Sequence, residues 1–142
     1  MRTFLRFIAI AIFIGLSTAV DVHAQAEKTV AICTHYMVPP YISDGQQYRA
    51  LLNGDEIAEF HVTFFGGNIY RIVAASGKTE GNVVFRVYDK ERNLLFDSKK
   101  YKNTSYWDFK FTSTVDGIIE SQLDTSKAGS GFLMMQIGFK QE

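Results

Sequence analysis

The sequence predicts an all-β domain, an antiparallel β-sandwich of about eight strands with jelly-roll or related Greek-key connections. Three observations carry that prediction. Apolar and polar residues alternate with a period of two through Phe60-His61-Val62-Thr63-Phe64 and again through Tyr106 to Thr112, the signature of a pleated ribbon with one buried face. The apolar runs are short and separated by turn residues, as in Gly66-Gly67, Ser76 to Asn82 and Asn53-Gly54-Asp55. No stretch shows a sustained helical period, so no helix is predicted.

Taken in order, the chain opens on Arg2 and Arg6, an apolar run from Phe7 to Leu16, and small residues near Val22-His23-Ala24. That order predicts a secretory signal peptide over residues 1–24, cleaved after Ala24 or after Ala26. The apolar run is shorter than the roughly 20 residues that span a bilayer, and no second run of spanning length follows. Residues 25–142 are expected to form one domain, secreted or periplasmic, with no membrane insertion once the leader is removed. The whole chain balances 15 basic against 15 acidic residues, and loss of the leader leaves a net charge of about −1, which argues against a nucleic-acid partner.

Cys33 is the only cysteine, so an exported chain must hold its fold by burial alone, and 14% aromatic residues make that feasible. Cys33 itself reads as a free, half-buried small hydrophobe, or as one half of an intermolecular disulfide.

Thr29 to Cys33, a β-branched run, predicts a short edge strand. Pro39-Pro40 then interrupts regular structure, leaving His35 to Ile42 as an aromatic-bearing irregular segment. His35, Tyr36 and Tyr41 are the first candidate binding residues, because binding groups concentrate on loops carried by a rigid scaffold; the same tyrosines also suit a cap on the end of the core. Ser43-Asp44-Gly45 is turn chemistry. Tyr48 to Leu52 is too short for a stable helix and is assigned as a strand.

Phe60 to Phe65, Asn68 to Ala75 and Asn82 to Asp89 follow as strands, and Gly66-Gly67 predicts a tight hairpin between the first two. Leu94 to Phe96 closes the next hairpin, and Asp97 to Ser105 reads as a polar, lysine-bearing loop. In Tyr106 to Thr112 the rings of Trp107, Phe109 and Phe111 share one face, read as core because the opposite face is polar. Tyr106, on that polar face, is the fourth candidate binding residue. Gly117 to Leu123 and Gly131 to Phe139 complete the count, the last apolar on both sides as a central strand should be.

The order FHVTF, glycine, IYRIVA, VVFRVYD, NLLF resembles the small bacterial sandwiches known as pre-peptidase C-terminal domains. The matching residues are Phe60 to Phe64, Gly67 to Ile72, Val84 to Asp89 and Leu94-Leu95. The resemblance implies a non-catalytic accessory of the secreted-enzyme type; this chain departs from it in that no enzyme domain is expected alongside the module and its last strand is FLMMQIGF rather than the family's tyrosine-bearing close.

Catalytic patterns are sparse. The two histidines beyond the leader, His35 and His61, form no zinc spacing, and no G-x-S-x-G elbow is present. No D-x-D-x-D-G loop supports calcium at Asp44, Asp55 or Asp89, so neither metal nor other cofactor is predicted. His61 shares a strand face with Thr63 and is expected in solvent. Asn103-Thr104-Ser105 matches an N-glycosylation acceptor.

The sequence therefore predicts an exported, non-enzymatic binding module whose partner is a protein or a surface glycan. A carbohydrate-binding sandwich using Tyr36, Tyr41, Tyr106 and Trp107 is the alternative, and a small hydrolase with an unrecognised site is the third reading.

Overall fold

The computed structural model describes residues 23–77 and 79–141; the leader expected over residues 1–24 lies outside these except for His23 and Ala24. Nine strands are described: β1 Ile42–Ser43, β2 Tyr48–Asn53, β3 Ile57–Phe64, β4 Asn68–Ser76, β5 Val83–Asp89, β6 Leu94–Asp97, β7 Tyr106–Phe111, β8 Val115–Leu123 and β9 Ser130–Gln141. They form two antiparallel sheets. One runs β1-β9-β4-β7 with β2 also on the free side of β9, and the other runs β3-β8-β5-β6. From β2 onward the chain crosses from one sheet to the other at every connection except the β5-β6 hairpin, as in a jelly-roll-like sandwich.

The alternation read from sequence sets the two inner faces. Phe64, Ile72, Phe85, Ile119, Leu133 and Ile137 are fully buried between the sheets, with Phe109 and Phe111 packed against them. Phe64 stacks on Phe111 at 4.6 Å between ring centroids.

Three expectations change: the Gly66-Gly67 hairpin, the Thr29 to Cys33 strand and the half-buried state of Cys33. Gly66-Gly67 does not close a hairpin: β3 and β4 lie in different sheets, and the glycines turn a corner between them. A side chain at Gly66 would meet the Ser113 backbone at 2.8 Å, and Gly67 has φ +81°. Alternation fixes which face of a strand is buried but not which neighbour it pairs with.

Thr29 to Cys33 is helical, part of a helix α1 over residues 23–36, where an edge strand and no helix had been expected. In the helix the Thr29 hydroxyl donates to the Gln25 carbonyl at 2.8 Å, and that of the adjoining Thr34 to the Val30 carbonyl at 2.9 Å, so both are satisfied locally. Thr29, Cys33 and Tyr36 form the inward stripe, and Cys33 packs on Val73, Ala75 and Met134. Helix α1 thus covers the outer face of the β9-β4-β7 sheet, so Cys33 is fully rather than half buried.

The loop after β6 contains a short 3-10 turn, Ser98–Tyr101, capped by Asp97 accepting from the Lys99 amide at 2.9 Å. Finally, Asn103 of the glycosylation motif is a structural residue, nearly buried at φ 53°, with its amide donating to Asp124 at 2.8 Å and to the Gly81 carbonyl at 3.3 Å.

Candidate functional site

The four residues singled out from sequence come together. His35 and Tyr36 end helix α1, Tyr41 follows the cis Pro39-Pro40 bond, and Tyr106 begins β7. Tyr36 stacks on Tyr106 at 4.7 Å and His35 meets Tyr36 edge-on at 5.0 Å. At their centre is Arg71 of β4, which the sequence reading did not single out. Its guanidinium lies 4.1 Å over the Tyr41 ring and 4.7 Å over Tyr106. Its Nε and Nη2 donate to the Asp108 carboxylate at 2.7 and 2.8 Å, and its Nη1 donates to the Tyr36 carbonyl at 3.0 Å.

Burial pushes the Asp108 carboxyl up, but hydrogen bonds from Arg71 and Tyr41 and the charges of Arg71 and Lys140 outweigh it and hold it below the usual range. Tyr36 donates to Glu80 at 2.7 Å, and that bond chiefly, with desolvation, pushes its phenol up to about 12. With its fork spent on Asp108 and on the helix end, Arg71 clamps the 34–42 segment to the sheet. Tyr41 is 8% exposed. The Tyr36 and Tyr106 faces cover one another, and Trp107 lies against Tyr101 at 4.4 Å and Phe96 at 4.9 Å.

A second feature, missed in the sequence, is the wedge between the free edges of β2 and β3. β2 pairs with β9 and β3 with β8, so these strands diverge from their shared turn at residues 54–56. Tyr48 and Phe60, edge-to-face at 5.3 Å, close the narrow end. The wide end is opened by a bulge: Ser43 sits opposite Gly138 and Tyr48 opposite Met135, so residues 44–47 are accommodated against only Gln136 and Ile137. Gly45 at φ +81° makes that excursion possible.

The resulting groove holds about 630 Å³. Val62, Tyr70, Ile137 and Phe139 contribute apolar lining, and His61, Phe65 and Gln46 line it from exposed positions. Asp44 is the only Asp, Glu, Lys or Arg among the lining residues. Its Oδ1 accepts the Gln46 amide at 2.9 Å and its Oδ2 accepts the Tyr48 hydroxyl at a long 3.4 Å. Partial burial, the largest cause, raises the Asp44 carboxyl despite both bonds. Burial and the neighbouring Asp44 push the Tyr48 phenol up to about 12. Ser43-Asp44-Gly45 announced a turn in the sequence, but nothing local placed it beside Phe65, some twenty residues away.

His61 reaches Glu59 Oε1 at 2.9 Å, with its side chain 71% exposed, as strand alternation predicted. The other Glu59 oxygen is held by Arg92 at 2.7 Å, and Thr63 on the same face gives its hydroxyl to Asp116 at 2.8 Å. Among the described residues no group of three or more His, Cys, Asp or Glu is placed to hold a metal ion. No helix among them is long and apolar enough to cross a membrane.

No family model matches the chain, and no curated protein matches it in sequence. Among solved structures it is similar to PliG of Aeromonas hydrophila, a periplasmic lysozyme inhibitor of g-type lysozyme, at TM-score 0.53 and 8% identity over 72% of this chain and 90% of that one. A de novo designed double-stranded β-helix overlaps 67% of this chain and 99% of its own at TM-score 0.36 and 15% identity, too loose a match to argue from. The likeness to PliG shows that this chain shares its β-sandwich fold.

Proposed function

We propose that this chain is an exported, non-catalytic module that binds a protein partner in the groove between β2 and β3. The observation that carries the reading is the groove itself: an apolar floor and one half-buried carboxylate, flanked by two strand edges that, among the described residues, pair with no further strand on the groove side. PliG, of the same fold, is described as an inhibitor of another protein, which supports a protein partner. The basic, apolar and small order of residues 1–24 supports export. The resemblance of Gly67 to Ile72 and Val84 to Asp89 to pre-peptidase C-terminal domains supports an accessory role. The tyrosine cluster is less suited to stacking sugars, because its ring faces are occupied by Arg71 and by one another.

The test places a photo-crosslinking phenylalanine at Phe65, on the groove lip, or at Lys100, on the 3-10 turn after β6, and exposes each protein to envelope proteins of the source cell. A discrete adduct from position 65 alone, abolished by excess unlabelled chain, is the expected result. Equal adducts from both positions, or none, would refute the reading. In the same preparation, inhibition of g-type lysozyme measures whether the likeness to PliG extends from fold to surface.

A hydrolytic reading has one observation in its favour, the His61–Glu59 contact at the groove rim. Turnover of ester or peptide substrates that disappears in His61→Gln would replace the binding reading with it.

A further inference from the structure

Resting on the binding reading above, we infer that the groove occupant is a basic side chain, arginine or lysine, presented on an extended segment of the partner protein. The chemistry of the walls selects that charge. Asp44 lines the groove with no Lys or Arg among the other lining residues, and among the described residues it makes no ion pair. One backbone amide and one long hydroxyl contact leave acceptor capacity on its carboxylate, which has up to about four acceptor sites. Partial burial raises this carboxyl and no countercharge beside it offsets that, so a cation entering the groove would supply the favourable charge it lacks.

Aromatic rings complete the arrangement. Tyr48, Phe65 and Phe139 line the same space, and ring faces attract a cation brought into it. The chain shows what this combination holds. Arg71 is gripped by the rings of Tyr41 and Tyr106 and the carboxylate of Asp108. The groove repeats that set, carboxylate and rings, without a guanidinium supplied from within.

The strand edges select an extended carrier over a free amine. β2 and β3 each spend one side on β9 and β8 and leave the other side to the wedge. A segment lying along such an edge gains main-chain hydrogen bonds and delivers alternate side chains inward. At about 630 Å³ the groove has room for more than one side chain.

The probe is a library of pentapeptides with randomised flanks and arginine, lysine, citrulline, norleucine or glutamate fixed at the centre. It is applied to the exported chain, produced with its own leader and purified after secretion, with acetyl-arginine-amide as the isolated cation. Enrichment of arginine- and lysine-centred peptides at least tenfold over citrulline and norleucine is expected, with amide shifts at Asp44, Tyr48 and Phe65. Asp44→Asn, which keeps an oxygen for the Gln46 amide, is expected to remain folded by circular dichroism and to lose at least tenfold in affinity.

Equal capture of citrulline peptides, unchanged affinity in Asp44→Asn, or shifts centred elsewhere would overturn the inference. Acetyl-arginine-amide binding as tightly as the peptides would assign the groove to a small organic cation, and groove shifts on self-association without peptide would assign it to a second copy; either outcome also overturns it. Adducts at position 65 that persist undiminished in Asp44→Asn would sink this inference and leave the binding reading standing, whereas loss of those adducts from the unmodified groove would remove both.

Discussion

Replacing Arg71 by alanine removes two charge-assisted bonds to Asp108, one bond to the Tyr36 carbonyl and two ring contacts at once. The Arg71 side chain is 16% exposed and that of Asp108 36%, so the pair lies between a solvated bridge, worth about 0–1 kcal/mol, and a buried one, whose breakage costs about 3–5 kcal/mol. A loss of about 2–3 kcal/mol follows, which for a domain of this size lowers Tm by roughly 6–15 °C. Arg71→Lys keeps the charge but not the fork and should cost about 1–2 kcal/mol.

Urea unfolding of Arg71→Ala, Asp108→Asn and the double variant measures the pair directly, with an expected coupling of about 1–2 kcal/mol. The Asp108 carboxyl is held below its ordinary range, so its contribution is complete above the unfolded-state pKa and is lost as pH falls through the lower folded value. The gap between the native protein and Arg71→Ala should therefore narrow in acid. Hydrogen exchange should accelerate across residues 34–42, which the clamp ties down. A variant within about 0.5 kcal/mol of the native protein, or strictly additive effects, would refute the assignment of this cluster as a clamp.

Two further outcomes test the packing. A methyl at Gly117 would lie 2.6 Å from Phe64 Cε2, and Phe64 is fully buried, so Gly117→Ala should cost about 1–3 kcal/mol in chemical denaturation, while Gly129→Ala, with nothing within 4 Å, should be neutral. Cys33 is fully buried and desolvation pushes its thiol up to about 12, so the native protein should resist a thiol reagent at neutral pH and react fully only in denaturant; rapid native labelling would show that helix α1 is not docked as described.

Much of the architecture was legible because a strand writes its environment into alternate residues. Phe60, Val62 and Phe64, or Trp107, Phe109 and Phe111, announce an inner face wherever their strand is placed. FLMMQIGF, apolar on both sides, announced a strand covered twice. What it could not announce was the cover: Met134 lies against helix α1, whose Thr29, Cys33 and Tyr36 stripe gains meaning only beside Val73 and Ala75. Local propensity favoured a strand there, and burial against the second face of the sheet overruled it.

Sheet membership and the groove were decided in the same way. Residues on either side of Gly66-Gly67 carry identical alternation whether the chain folds back on itself or crosses to the other sheet; the pairing of β3 with β8, and of β4 with β7 and β9, is what separates the two. Asp44, His61 and Phe65 carry no shared spacing. They meet because β2 and β3, each committed to a different sheet, must part company, and that divergence is a property of the packed layers. The sequence by itself determined which side chains face inward, since period two is local. Only the tertiary structure decided which strands became edges and what lies between them, since pairing depends on residues far apart in the chain.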